Sequence, residues 1–286
     1  MRVLELFSGI GGWRFALPAG TEVVAAYDVS PAANATYALN HGEAPRNREL
    51  ATIPTDALAA HGADTWVLSP PCQPYARMGN RADLEDPRAR AFLNLLRILD
   101  AAPPRQLVME NVEGFLESQS HDRLRAVLDR AGFHVLTFRL CPSAFGLPNL
   151  RPRVYLAASQ APLREREIPA LEPRPLADFL DAMVDESLYL PEAVRAKHWM
   201  GLDLARPQDR RTACFIGGYG QRFVGSGSFL VTERGVRRFS PAEVGRLLGL
   251  PETFRFPEGL SREKQYKLLG NGLSLPVARW VLGHLA

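Results

Sequence analysis

The sequence predicts an α/β protein: a mostly parallel, doubly wound sheet with a second, smaller domain in the C-terminal half. Three observations carry this. Short apolar runs alternate with helix-type segments from the N-terminus to about residue 160. A glycine-rich turn, SGIGG, joins the first apolar run to the first helix. After Ala161 the alternation stops, and proline, charge and a glycine-rich tract take over.

The elements follow in order. RVLELF reads as a short buried strand, and SGIGG leads into a helix through Trp13 to Leu17. EVVAAY is a second strand ending at Asp28, and Pro31 opens a helix at the position where its missing N–H leaves no bond unmade. TWVLS is a third strand, and AFLNLLRIL places Phe92, Leu95, Leu96 and Leu99 on one helical face. QLVME is a fourth strand, followed by a helix from about Ser120 to Ala131; FHVLTFRL and VYLAAS close the series. The proline- and charge-rich stretch APLREREIPALEPRPLADFL marks a boundary. Beyond it, SPAEVGRLLGL reads as a helix capped by Ser240, with Pro241 in its first turn and Glu243 completing a capping box. SLPVARWVLGHLA reads as an amphipathic helix that packs back on the first domain. The expected division is 1–160 plus about 260–286 for the larger domain and about 161–259 for the smaller.

Composition narrows the function classes. The chain of 286 residues is 46% hydrophobic and 23% charged, ordinary for a globular protein. Its three cysteines, Cys72, Cys141 and Cys214, are too scattered for a disulfide framework or a zinc site, which predicts a cytoplasmic setting. No apolar run approaches the ~20 residues that span a membrane, and MRVLELFSGIGG turns to glycine too soon for a signal peptide. Six histidines, His121, His134 and His198 among them, form no ligand set, so no metal is expected. The net charge is +3, but residues 195–246 hold ten Lys/Arg against four Asp/Glu. A basic segment of this kind suits a nucleic acid and equally a solvated face.

Two local patterns carry chemistry. Gly9, Gly11 and Gly12 follow the first strand, where glycine lets the backbone approach a ligand. About twenty residues on, Asp28 ends the second strand, where a carboxylate can accept from ribose hydroxyls. The dinucleotide pattern G-x-G-x-x-G is not met, and a capped strand–helix turn is the alternative. In SPPCQPY, Pro70, Pro71 and Pro74 frame Cys72 just past the third strand. Fixed backbone at a strand's C-terminal edge presents a thiol in one place. Such a thiol needs a positive neighbour or a proton acceptor to attack at pH 7.

ELFSGIGG, SPPCQPY, MENVEGF, GLPNLRPRVYLAA and LLGNGLSLPVARWV occur in this order. Together they resemble the motif set of the cytosine-C5 methyltransferases, over most of residues 1–160 and 238–286. The resemblance implies an S-adenosylmethionine-dependent, Rossmann-like methyltransferase domain, its sheet parallel but for one strand, and a smaller target-recognition domain. It implies Cys72 as nucleophile and Glu110 as the group that holds and protonates the ring nitrogen N3. Arg151 and Arg153 match the family's arginine pair, with Arg153 near the thiol and the base carbonyl. The methyl donor, leaving as S-adenosylhomocysteine, would lie on Phe7, Ser8, Gly9, Ile10, Gly11 and Gly12. Phe7 would be near the adenine and Asp28 at the ribose, and Val29, Pro71, Asn271 and Gly272 would complete the set. The family's G-N-S reads GNG here, which removes one side-chain hydrogen bond to the donor.

Within the family, SPPCQPYARMGN, SAFGLPNLRPR and CFIGGYGQRFVGSGSFL look most like the tRNA enzymes that modify the aspartate-tRNA anticodon loop. One departure is Ile216, where that subgroup carries threonine; Cys214 beside it is assigned no catalysis. The alternative is a DNA cytosine-C5 methyltransferase of a restriction–modification or orphan type. A substrate base would be extruded to reach Cys72. Gln73, Tyr75, Arg77, Arg210, Arg211, Tyr219, Arg222, Arg237 and Arg238 are candidates for nucleic-acid contact by charge and stacking. The expected partner is tRNA, with no membrane, and the expected state is a monomer.

Overall fold

The structure, a computed structural model, describes residues 1–73, 75, 83, 86–87 and 89–285. It has two compact units. The first comprises Met1–Leu140, Pro152–Glu167 and Ala278–Ala286; the second comprises Cys141–Arg151 and Ile168–Val277.

The first unit is built on β1 (Arg2–Leu6), α1 (Gly12–Ala16), β2 (Glu22–Tyr27), α2 (Pro31–His41), α3 (Thr55–Ala59) and β3 (Thr65–Leu68). There follow α4 (Ala89–Ala101), β4 (Gln106–Asn111), α5 (Gln119–Arg130), β5 (His134–Leu140) and β6 (Arg153–Ser159). The strands form one sheet in the order β2-β1-β3-β4-β6-β5. β1 pairs parallel with β2 and β3, and β3 with β4. β6 runs antiparallel to both β4 and β5. The sheet is therefore parallel but for one strand, as the resemblance implied.

Burial explains why these runs are strands. Leu4 and Leu6 face a core that also holds Leu68, Met109, Phe92, Leu95 and Phe115. Val3, Val67 and Val108, on alternate positions, are fully buried too. A strand hidden on both faces reads as a continuous apolar run, which is the doubly wound signature. α2 begins where the Ser30 hydroxyl accepts from Ala33 N at 3.3 Å, and it stops at Gly42 in the left-handed region.

The second unit holds α6 (Glu192–His198), β7 (Asp203–Ala205), β8 (Ser228–Thr232), β9 (Gly235–Arg238), α7 (Pro241–Leu247) and α8 (Arg262–Gly270). β7, β8 and β9 form a small sheet. α9 (Leu275–Leu282) starts in this unit, and from Ala278 the chain belongs to the first. The Ser240–Glu243 capping box forms as the sequence predicts. Glu243, fully buried, also receives both Arg237 terminal nitrogens at 2.7 Å and Asp181 N at 2.9 Å. That bidentate pair fastens β9 to the start of α7.

Helices α6 and α8 were not expected. α6 buries none of its residues and α8 only Tyr266 and Leu269, so neither carries a broad apolar stripe to read. The unit boundaries also differ from 160 and 260. Residues 141–151 lie with the second unit because Leu150 N bonds Thr212 O, and Ala144 O and Gly146 O accept from Leu171 N and Arg174 N. Residues 260–277 belong there as well.

Candidate active site

β1 has β2 on one side and β3 on the other, so the chain reverses direction across the sheet between β1 and β3. In open α/β sheets, ligands bind at the strand C-termini of such a switch point. The glycine turn follows β1 and the Cys72 loop follows β3. Ser69 N bonds Leu6 O at 3.4 Å, and Trp13 Nε1 donates to Ser69 Oγ at 3.0 Å. The helix after the glycine turn is thereby tied to the start of the thiol loop.

The turn itself is tightly wound. Phe7, Gly9 and Gly11 all have positive φ, at 54°, 54° and 81°. Both Asp28 oxygens hold backbone: Oδ2 accepts from Gly9 N and Oδ1 from Ser30 N, each at 2.8 Å. Asn34 Nδ2 holds Asp28 O at 3.0 Å. Each carboxylate oxygen keeps a further lone pair for a hydroxyl donor. Among the described residues, no atom beyond Gly9 and its two chain neighbours lies within 4 Å of where a Cβ on Gly9 would stand, so the turn is open to a ligand on that side. Val29 is exposed and Phe7 part-exposed, and the Ser8 hydroxyl is buried without a partner among the described residues. An apolar face, a carboxylate and a waiting hydroxyl fit a nucleoside-bearing methyl donor. Ile10, Gly11 and Gly12 are buried and can meet such a ligand only at its edge.

Beneath the turn lies a group that the sequence reading missed. Glu5 is fully buried, and Tyr37 Oη donates to its Oε2 at 2.8 Å. Burial pushes the Glu5 carboxyl up to about 8, against the lowering pull of the Tyr37 bond and Arg14. Burial, with Arg14 beside it, lowers His41 to about 4. The signal was available: a lone acid in the apolar run VLELF has to be held by something.

Cys72, half-buried, sits four residues past β3. Leu68 of β3 pairs with Met109 of β4, and Glu110 is the next residue of β4. Asn111 Nδ2 donates to Pro70 O at 3.3 Å, stitching the end of β4 to the proline–cysteine loop. Because β6 is antiparallel, its first residue, Arg153, arrives at the same end of β4. Arg153 Nε lies 3.3 Å from Glu110 Oε1, with Glu110 only 7% exposed. Strand pairing thus brings Cys72, Glu110 and Arg153 to one sheet edge. Pro71 is half-buried there, Gln73 is exposed, and Pro74 and Arg77 lie outside the described residues.

Several expected roles need correction. Arg151, expected in the catalytic set, is held by backbone carbonyls of the second unit. It is 3% exposed in the second unit, where Nη1 donates to Phe215 O at 3.2 Å and Nη2 to Gly270 O and Gly272 O at 3.0 and 2.5 Å. It also reaches Cys214 Sγ at 3.4 Å. Asn271, exposed, is the C-cap of α8, and Gly272 follows it. Tyr75 is not a stacking surface: it is buried against Phe115 and donates to Ser120 Oγ at 2.9 Å. Tyr219 is fully buried with its hydroxyl on Ser228 O, and Arg237 is consumed by Glu243. Arg211 is exposed but paired with Asp203, and Arg210 donates to Pro173 O. Arg222 is exposed. Arg238 lies over the Phe223 ring, 4.5 Å from its centroid.

Among the described residues there is no group of three or more His, Cys, Asp or Glu that could hold a metal, and no helix long and apolar enough to cross a membrane.

This arrangement was compared with known proteins. The family described as C-5 cytosine-specific DNA methylase matches residues 1–179 and 195–286. The tRNA (cytosine(38)-C(5))-methyltransferase of Schizosaccharomyces pombe is 33% identical, over 100% of this chain and 96% of that protein. Among solved structures, the Entamoeba histolytica methyltransferase EhMeth superposes with a TM-score of 0.94 at 28% identity, covering 99% of this chain and 97% of that one. The S. pombe Dnmt2 methyltransferase gives a TM-score of 0.89 at 31% identity, with the same coverage of 99% and 97%.

Proposed function

Because this chain belongs to the C-5 cytosine-specific DNA methylase family, we propose that it methylates C5 of a cytosine in the anticodon loop of aspartate tRNA, using S-adenosylmethionine. The observation that carries the chemistry is the Arg153–Glu110 pair, 3.3 Å apart at the strand end beside the Cys72 loop. The tRNA target is supported by relatives named for cytosine 38 that align over the whole chain.

Cytosine C5 is too electron-poor to take a methyl group directly. Cys72 thiolate adds to C6, forming an S–C6 bond, and the C5–C6 π pair shifts toward C5. Glu110 gives a proton to N3, so the ring accepts the electrons more readily. Arg153 fixes the Glu110 carboxyl and offsets negative charge on the base carbonyl. When bound, S-adenosylmethionine supplies an electrophilic methyl that C5 takes. Loss of the C5 proton to solvent then restores the double bond, expels the Cys72 thiolate, and returns the N3 proton to Glu110. Asp28, Val29, Phe7, Ser8, Pro71 and the glycine turn hold the donor in this reading; Asn271 and Gly272 rest on the resemblance alone. Arg151 acts on this chemistry only by ordering the second unit. We infer a cytoplasmic monomer that needs no metal.

The test uses labelled S-adenosylmethionine with unmodified tRNA and unmethylated genomic DNA in parallel. Label should enter tRNA and disappear with Cys72→Ala. RNA carrying 5-fluorocytidine should form a denaturant-resistant adduct with the wild type and none with Cys72→Ala, because fluorine at C5 cannot leave as a proton. Label in DNA alone would replace the RNA reading with the DNA one.

A further inference from the structure

Most large apolar side chains are hidden, but the second unit exposes a cluster of them. Trp199 is 50% exposed, Met200 97% and Val224 54%. They are neighbours: Gly201 packs on Val224, where an added Cβ would stand 2.7 Å from its Cγ2. His198, just before Trp199, stacks on Phe223, just before Val224, with ring centroids 4.9 Å apart and planes within 18°. On Phe223 lies the Arg238 guanidinium, and Arg238 also lies over Phe229 of β8. The short 3₁₀ turn Trp199–Gly201 is closed by Leu202 N on Trp199 O. Trp199 and Met200 are therefore displayed on a braced platform and are not a fraying end.

Cations flank this platform. Arg195 and Lys197 stand in the last turn of α6, directly before it, and Arg222 directly precedes Phe223. None of these three makes an ion pair among the described residues. Several other arginines of the same unit are matched: Arg211 with Asp203, Arg234 with Glu186, Arg246 with Asp181 and Arg262 with Asp185. Cations left unmatched next to an exposed indole complement a phosphate backbone with an unstacked base. An apolar protein partner would have no use for them.

We propose that Trp199, with Met200 and Val224, is a stacking platform for an unpaired base of the RNA substrate, and that Arg195, Lys197 and Arg222 hold the flanking phosphates. This rests on the tRNA reading above and assigns a place on the second unit to the RNA outside the reacting base.

Trp199 can be read directly. Trp13, Trp66 and Trp280 are at most 6% exposed, so acrylamide should quench mainly Trp199 emission. Saturating unmodified tRNA should protect that emission. Trp199→Ala should raise KM for tRNA about tenfold with kcat nearly unchanged, the scale of one base–aromatic stack, and Trp199→Phe should recover most of it. Arg222→Gln should weaken binding and lower the slope of log K against log salt by about one. If tRNA is methylated while Trp199 stays fully quenchable, this proposal fails and the activity stands. If only DNA is methylated, both fail. Loss of a concentration-dependent dimer in Trp199→Ala, with tRNA affinity unchanged, would overturn it in favour of a second copy of the chain.

Discussion

Gly114 lies against Tyr75 so closely that a Cβ added to it would meet the Tyr75 carbonyl oxygen at 2.3 Å. Tyr75 N in turn bonds Cys72 O at 3.0 Å. The loop after β4 is thus seated directly on the loop that carries the thiol. Gly114→Ala must push that backbone away, since a carbonyl cannot rotate aside like a side-chain tip. A shift of about 1 Å at a reacting group lowers rate by about 10²-fold. Methylation by Gly114→Ala should fall by about 10- to 100-fold, with only a few degrees lost from Tm. Wild-type kcat in a folded Gly114→Ala protein would show the contact to be slack.

Glu110→Gln keeps the shape of the carboxyl but cannot deliver a proton to N3. General-acid groups contribute about 10²- to 10⁴-fold, so kcat should drop by that order while 5-fluorocytidine adduct formation slows in step. A rate within twofold of wild type would remove Glu110 from the chemistry.

Asp28→Ala releases both Gly9 N and Ser30 N, so the turn loses its brace as well as a hydroxyl acceptor. Titration calorimetry with S-adenosylhomocysteine should show affinity weakened about tenfold or more. Asp28→Asn, which keeps one acceptor oxygen, should fall between. Equal affinity in all three proteins would place the donor elsewhere.

Glu5 gives stability a pH dependence. Its carboxyl titrates at about 8 when folded and at 4.5 in the reference state. Between those values the folded chain binds the extra proton, so this contribution to stability is complete below pH 4.5 and is lost as pH rises to about 8. His41, lowered to about 4 from 6.5, acts the opposite way, with stability lost as pH falls below 6.5. The window from pH 6.5 to 8 therefore isolates Glu5. Glu5→Gln should flatten the decline of Tm across that window, gaining relative to wild type at pH 8. Parallel Tm curves would mean that Glu5 is already ionised.

Arg151→Lys tests the second unit. One guanidinium spans the carbonyls of Phe215, Gly270 and Gly272, which a lysine point charge cannot do. We expect about 2–4 kcal/mol of lost stability in urea unfolding, typical of a broken buried network. Protein that remains folded should still form the 5-fluorocytidine adduct.

The sequence by itself determined the strand–helix alternation, the glycine turn, the proline-framed thiol and the capping box at Ser240. Each is a local pattern: an apolar run, a required φ, a ring that fixes the backbone. It also supplied the residue types of the reaction, because Cys72, Glu110 and Arg153 lie in recognisable motifs. What tertiary structure decided was which like residues do different work. Arg151 and Arg153 are two positions apart, yet one is buried among carbonyls and the other pairs with Glu110. The reason is that β6 begins at Arg153 and its antiparallel pairing delivers that residue alone to the end of β4. Tyr75, Tyr219 and Arg237 looked like surface groups because aromatic and basic residues are common to cores and interfaces. Only packing told them apart. Gly114 was silent in sequence for the same reason, since the residue that gives it meaning, Tyr75, is brought to it by the fold; Glu5 stood out as a lone acid in an apolar run, but only the fold supplied its partner Tyr37.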